Sequence, residues 1–358
     1  RPLTGLASEL TPLLQAMSPD RAGWYLWRLA RRFQESGRLS TSEVLLNELI
    51  QEYPDHEAAL AATRSLLAST VSRERRWQRI RHAVNQETLV APRPSVSGRG
   101  VELAGSEMIS RTRRRPLAIA GKTDWQSEMT AAEVAQAIRL ARKLKQHATP
   151  AYEAGSTQLT LAALFRSRGS HRTADSCYRR LAGRSGPWRT TAIQETWLAN
   201  RSGNPPVDSV LCQSVTNRPI LDGVISDTCW ETVPEMRLRS ARRTVSTFGS
   251  GFVVTTCDHE YLYLAARLER ATTTSPELAT ARTFDADHTG FDRITIFLDT
   301  DRDYQVGYEI TIDERGEVSE SCGGDPSWNP RLFVAIDSDQ TAWRFELAIH
   351  WSELVRER

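Results

Sequence analysis

Ala342-Trp-Arg-Phe-Glu-Leu-Ala-Ile-His-Trp351 decides what the second half of this chain folds into. Trp343, Phe345, Leu347 and Ile349 alternate with Arg344, Glu346 and His350, so one face is apolar and the other polar, the signature of a half-buried strand. The same alternation runs through Leu262, Leu264, Ala266 and Leu268, and through Ile294, Ile296 and Leu298. Asp, Gly and Pro turns separate these runs, which predicts an antiparallel β-sandwich. Glu346 then lies on the face opposite Trp343, either solvated or paired with an arginine. Trp230 and Trp351 are expected to plug the ends of the sandwich core.

Upstream of this half, Asn204-Pro205-Pro206 forms a stiff polar joint, and before it the apolar period lengthens to that of a helix. Trp24, Trp27, Leu29, Ala30 and Phe33 recur at helical spacing, with Gly37 ending the helix. A second helix runs through Val44, Leu45, Leu49 and Ile50 to Tyr53, where Pro54 stops it. Leu29, Ala30, Phe33, Gly37, Leu46, Leu49 and Pro54 resemble the frame of a tetratricopeptide repeat, which pairs two helices in about 34 residues. Ser42 departs from the small alanine usual at the crossing. The frame recurs at Leu161, Ala162, Phe165, Gly169, Ala174, Tyr178 and Leu181. Thr130 and Glu133 form a capping box ahead of a helix with Val134, Ala137, Ile138, Ala141 and Leu144 on its apolar face. The stretch between, with Pro92, Pro94 and the run Arg111-Thr-Arg-Arg-Arg115, is poor in apolar residues and reads as a linker or long loop.

Four segments of the second half arrive in a telling order: Ile220-Leu-Asp-Gly-Val-Ile-Ser-Asp-Thr-Cys-Trp230, Thr256-Cys-Asp-His-Glu-Tyr-Leu-Tyr263, Asp292-Arg-Ile-Thr-Ile-Phe-Leu-Asp299, and the strand quoted first. Together they resemble the family 9 carbohydrate-binding modules. The resemblance implies a sugar-binding, non-catalytic sandwich outside the cytoplasm, in the periplasm or extracellular. It also implies a domain truncated at its C-terminus, because the family's final strands would follow Arg358. The chain opens Arg-Pro-Leu without methionine, so it reads as a piece of a longer protein.

Sugar recognition stacks the apolar C–H face of a pyranose on an exposed aromatic plane, while polar groups meet the hydroxyls. The resembled family sandwiches its sugar between two tryptophans, one of them at the position that is Thr289 here, flanked by His288 and Phe291. Trp328, in the turn-rich loop Gly323-Gly-Asp-Pro-Ser-Trp-Asn-Pro330, is the leading candidate platform, or else it folds back over the sheet edge. Tyr304, Phe291 and His288 complete the candidate set. Asp299, Asp301 and Asp303 alternate oxygen donors across a turn, and the resemblance implies structural calcium there. The glycine and glutamate of an EF-hand loop are missing, so a plain Asp-rich turn is the other reading.

A net charge of +2 offers no general attraction to nucleic acid, and no apolar run is long enough to span a membrane. The five cysteines lack metal-ligand spacing; they allow one disulfide in the C-terminal domain or are buried thiols. The seven histidines form no metal pair, and no nucleophile elbow or phosphate loop occurs, so nothing supports catalysis. The expectation is a multidomain α + β chain: helical hairpins over 1–85 and 130–204, a linker over 86–129, and an antiparallel sandwich over 207–358. The halves are expected to touch little. The sandwich would bind polysaccharide and the helical hairpins a protein partner. The competing uses are a structural or protein-binding sandwich without sugar, and an accessory part of a larger glycoside hydrolase.

Overall fold

A computed structural model describes residues 4–80, 129–238, 251–270 and 286–354. The linker assigned to 86–129, with its arginine run, lies outside the described residues apart from Met129. The first half is helical: α1 (Thr4–Gln15), α2 (Pro19–Glu35), α3 (Leu39–Glu52), α4 (Glu57–Val71) and α5 over residues 73–80. After the break come α6 (Ala131–His147), α7 (Thr149–Tyr152), α8 (Gly155–Ser167), α9 (His171–Ala182) and α10 (Trp188–Asn200). The Ser18 hydroxyl caps α2 with Pro19 in its first turn, and Gly37, at φ +72°, reverses the chain after it. The capping box of Thr130 and Glu133 is present at α6.

Leu26, Ala30, Leu45, Leu49 and Leu66 share one apolar core with Leu140, Leu144 and Leu161. The helices on either side of the break therefore form one unit. Ser42 and Ala174 are both buried between paired helices, where a small side chain lets the backbones approach. Such pairing is what a tetratricopeptide frame needs, and any two amphipathic helices can supply it.

The second half holds β1 (Gln213–Ser214), α11 (Thr228–Glu231), β2 (Met236–Leu238), β3 (Gly251–Cys257), β4 (Tyr261–Glu269), β5 (Arg293–Leu298), β6 (Tyr308–Asp313), β7 (Val318–Cys322), β8 (Leu332–Ser338), β9 (Ala342–His350) and α12 (Trp351–Leu354). One sheet runs β1-β3-β4-β9-β8 with β2 also on β3; the other runs β5-β6-β7. The pairing is antiparallel except between β1 and β3, which are parallel. Trp343, Phe345, Leu347 and Ile349 of β9 meet Tyr308, Ile310 and Ile312 of β6 in one core. The period-2 pattern thus closes a sandwich; burying Phe345 alone contributes about 1.5–3 kcal/mol. All five cysteines are free thiols, and no described helix is long and apolar enough to cross a membrane.

Glu346 departs from both sequence readings: it is fully buried rather than solvated, and its partners are N–H groups rather than an arginine. Its Oε2 accepts from the backbone N–H of Asp222 and Gly223 at 3.0 Å each, and its Oε1 from Trp230 Nε1 at 2.9 Å. Gly223, at φ +86°, has no room for a Cβ beside Ile336 and Asp337. One carboxylate therefore ties the 220–230 segment onto the outer face of the larger sheet, over Tyr263 and Ala265.

The expectation of halves that touch little is overturned. Arg75 donates to the Gly323 carbonyl at 2.7 Å, and Gln78 to the Cys322 carbonyl and Asp325 Oδ2 at 3.0 Å each. Trp77 packs against the sandwich core. Farther along, Glu195 of α10 accepts from Tyr304 Oη (2.7 Å), Arg166 (2.9 Å) and Arg302 (3.2 Å). Sequence spacing hid this seam because α5 is predominantly polar, and its polar groups find partners more than 220 residues away.

Two substitutions test these joints. Glu346→Ala strands three buried donors and should lower stability by about 2–4 kcal/mol, read as a shifted urea midpoint. Glu195→Ala leaves two guanidinium groups and a phenol facing each other at the seam. Calorimetry should then resolve separate helical and sandwich transitions where the wild type shows one.

Candidate functional site at the seam

The loop between β5 and β6 is built by its own carboxylates. Asp299 accepts from the backbone N–H of Arg302 (2.6 Å) and Tyr304 (2.8 Å). Those two residues sit at φ +53° and +60°, left-handed positions that cost energy for side chains of this size. Asp303, fully buried, accepts from Gln305 (2.7 Å) and Val306 (3.1 Å) through Oδ1. Asp301 accepts from Asp303 N at 3.0 Å and, across the seam, from Arg73 N at 2.6 Å. Glu74 of α5 accepts from the backbone N–H of Thr300 at 2.7 Å and from its hydroxyl.

Four carboxylates are thus crowded out of water. Burial pushes Asp301 up to about 7, with the Glu74 and Asp299 charges adding to the effect. Burial also raises Glu74, and it lifts Asp303 well above the ordinary carboxylate range, helped by the Asp301 charge. Glu74, Asp299 and Asp301 each offer an oxygen, all within 4.8 Å of one another. Beside them Asp303 Oδ2 is buried without a hydrogen-bond partner. An all-oxygen, anionic set with one orphaned oxygen fits a hard cation such as calcium better than zinc. The geometry differs from the sequence assignment in one member: Asp303 turns to the backbone of Gln305 and Val306, and Glu74 stands in the cluster instead.

Behind this loop lies a cleft of about 380 Å³ between the helices and the sandwich. Trp27, Arg31 and Gln34 of α2 form one wall, at i, i+4 and i+7 on a single helix face. Arg64 and Ser65 of α4, Arg75 of α5, and Ser156, Thr157 and Thr160 of α8 form others, and Gln305, Val306 and Gly323 close it from the sandwich. Arg64 donates to Ser156 Oγ at 2.6 Å, Gln34 to Ser65 Oγ at 3.1 Å, and the Arg31 guanidinium sits 5.9 Å from the Trp27 ring centre. Trp27 is half-buried, keeping part of its ring toward the cleft.

The candidates read from sequence do not converge. Trp328 is 4% exposed and packs on Tyr308 with ring centres 4.6 Å apart, so it belongs to the sandwich core and is no exposed platform. Core contacts draw this large ring inward despite the polar loop around it. The Tyr304 hydroxyl is engaged by Glu195, and Phe291 lies beneath the Arg315 guanidinium at 3.5 Å. His288 bridges Asp313 at 3.0 Å and Ser319 at 2.9 Å. His288 and Phe291 are linked through Asp313 and Arg315. The cleft residues escaped sequence reading because they come from four helices and two loops. The one local signal was Trp27-x3-Arg31-x2-Gln34, a polar–aromatic stripe beside the core stripe of Leu26 and Ala30.

No family model matches the chain, and no curated protein matches it. Among solved structures it is similar to a family 9 carbohydrate-binding module from Caldicellulosiruptor kristjanssonii in complex with cellotriose. The identity is 17% over 41% of this chain and 68% of that one, with a TM-score of 0.30. A family 9 module from the same organism in complex with glucose matches at 16% identity over 41% of this chain and 70% of its own, TM-score 0.29. A likeness this partial decides nothing about the site or its ligand.

Proposed function

We propose that this chain is a non-catalytic saccharide-binding protein whose ligand lies in the cleft between helices and sandwich. The observation that carries the reading is the lining: one aromatic face, Trp27, ringed by guanidinium, amide and hydroxyl groups in a concave space of about 380 Å³. A pyranose needs that combination, and cavities of this size at domain interfaces are ordinary ligand sites. Among the described residues the lining offers no carboxylate, histidine or cysteine to act as acid, base or nucleophile, which favours binding over catalysis. A polysaccharide ligand is in keeping with a place at the cell surface or in the periplasm.

A second reading keeps the sugar on the sandwich alone. It is favoured by Phe333, 51% exposed, whose ring centre lies 6.2 Å from that of Tyr261, with Arg218 over Tyr261. Titration of soluble neutral and acidic oligosaccharides separates the two. Aromatic stacking contributes about 1–3 kcal/mol per ring on the scale known for bases, so Trp27→Ala should weaken binding about ten- to a hundredfold while Phe333→Ala leaves it unchanged. Circular dichroism checks that the Trp27→Ala protein folds. The reverse pattern supports the sandwich face, and no binding by the wild type to any oligosaccharide overturns both.

We also propose that calcium, held by Glu74, Asp299 and Asp301, joins α5 to the sandwich. The crowding of buried carboxylates and the orphaned Asp303 oxygen support it. Millimolar calcium should then raise the melting temperature, a chelator should reverse the rise, and Glu74→Ala or Asp299→Asn should abolish the response. A wild-type melting temperature indifferent to calcium rejects the ion and leaves the cluster as a protonated hydrogen-bond knot.

A further inference from the structure

We infer that the cleft is built for an acidic saccharide, a sugar unit carrying a carboxylate on its ring; this rests on the saccharide reading above and narrows it. The charge of the lining points there. Arg31, Arg64 and Arg75 reach the cleft from three helices, and among the described residues no Asp or Glu lines it.

Arg75 is the decisive group. It is only 7% exposed, yet its hydrogen bonds go to neutral oxygens, the Gln78 amide at 3.2 Å and the Gly323 carbonyl at 2.7 Å. The carboxylates that act on it from behind, Asp325 and Glu43, are engaged elsewhere. Asp325 accepts from Gln78 and from Ser327 N, and Glu43 from Arg79 and Ser69. A buried guanidinium without a direct anionic partner is costly, and an anion arriving from the cleft would relieve it. Arg64 stands in the same lining, fixed by Ser156, and Arg31 lies over the Trp27 ring with a long, exposed contact of 3.7 Å to Glu35. Planar guanidinium groups bind carboxylates in paired hydrogen bonds, which favours a ring carboxylate over an uncharged hydroxyl.

The rest of the wall argues for a sugar over an acidic peptide. Between the arginines stand Ser65, Ser156 and Gln34, donors and acceptors suited to a ring of hydroxyls, with Trp27 as the stacking plane; the Ser69, Thr157 and Thr160 hydroxyls are turned to Glu43 and to the Ala151 and Ser156 carbonyls. Peptide side chains would need apolar pockets, and apart from Trp27 the apolar residues of this lining are of small or medium size: Ala61, Leu67, Ala68 and Val306.

The test is calorimetric titration of the full chain with four probes of matched length: an oligogalacturonate, a neutral galacto-oligosaccharide, a sulfated galacto-oligosaccharide and a Glu-rich peptide. The oligogalacturonate should bind at least about tenfold more tightly than the neutral oligomer at low salt, with the gap closing as sodium chloride is raised. Arg64→Gln should weaken the uronate about tenfold more than the neutral sugar. That variant sits on an exposed position and should fold, whereas Arg75→Gln removes a bond across the seam. Equal affinity for neutral and acidic sugars overturns this inference and leaves the saccharide reading standing. A sulfated sugar bound in preference to the uronate overturns the carboxylate assignment. Binding of the peptide alone, or of none of the probes, overturns both readings.

Discussion

Helix α5 carries a carboxylate, a guanidinium and an amide into a place where water is largely excluded: Glu74 is fully buried, Arg75 7% exposed and Gln78 4% exposed. Buried polar groups must be met, or each costs on the order of 1–3 kcal/mol. The surrounding structure follows from meeting them. Thr300 turns its N–H and hydroxyl to Glu74, the 322–325 turn presents a carbonyl and a carboxylate to Gln78, and Gly323, at φ +57°, offers its carbonyl to Arg75. One turn farther along the same helix Arg79 reaches Glu43 and the Ser69 carbonyl, and Arg76 approaches Glu133. A short helix with a different partner on each face becomes the joint between an all-helical core and a sandwich core.

That joint explains why the cleft exists. Arg166 and Glu195 hold the 299–304 loop from α8 and α10, while α5 holds it from the N-terminal side. Between these two attachments a gap remains, lined in part by what α2 and α4 display. They display Arg31, Gln34, Arg64 and Ser65 alongside Trp27, Ala61, Leu67 and Ala68, because only part of their apolar surface faces the shared helical core. A concavity formed this way mixes polar groups with an aromatic face, the combination a pyranose requires.

Much of this architecture can be read from spacing alone. Period-2 runs in Leu262–Leu268 and Trp343–Ile349 mark the strands of the larger sheet, since alternation maps directly onto the two faces of a half-buried strand. Gly37 and the Thr130–Glu133 box mark helix ends because capping is local chemistry. Glu346 shows where spacing stops: its face was legible, but its three donors sit more than 110 residues upstream. Trp328 shows a different limit. A loop rich in Gly, Pro and Asp predicts exposure of the chain, not of every ring on it, and a large apolar ring gains more by covering Tyr308. The place of Glu74 beside Asp299 and Asp301 was invisible for the first reason, and the cleft for the same one, since its walls come from residues 27 to 323.

The acid cluster and the cleft wall are parts of one device, because they share a loop. Asp303 accepts the N–H groups of Gln305 and Val306, and those two residues form the sandwich side of the cleft. Asp301 in turn accepts the N–H of Asp303, and Asp299 holds Tyr304 in its left-handed turn. The position of the wall therefore depends on how the charge of Glu74, Asp299 and Asp301 is neutralised, by proton or by cation. Left ionised and uncompensated, three carboxylates within 4.8 Å would repel and loosen the turn that carries Gln305. Arginines reach both sides of that turn, Arg73 and Arg302 at the acid cluster and Arg75 in the cleft, so the place of the turn is set by the protein's own charges on both sides.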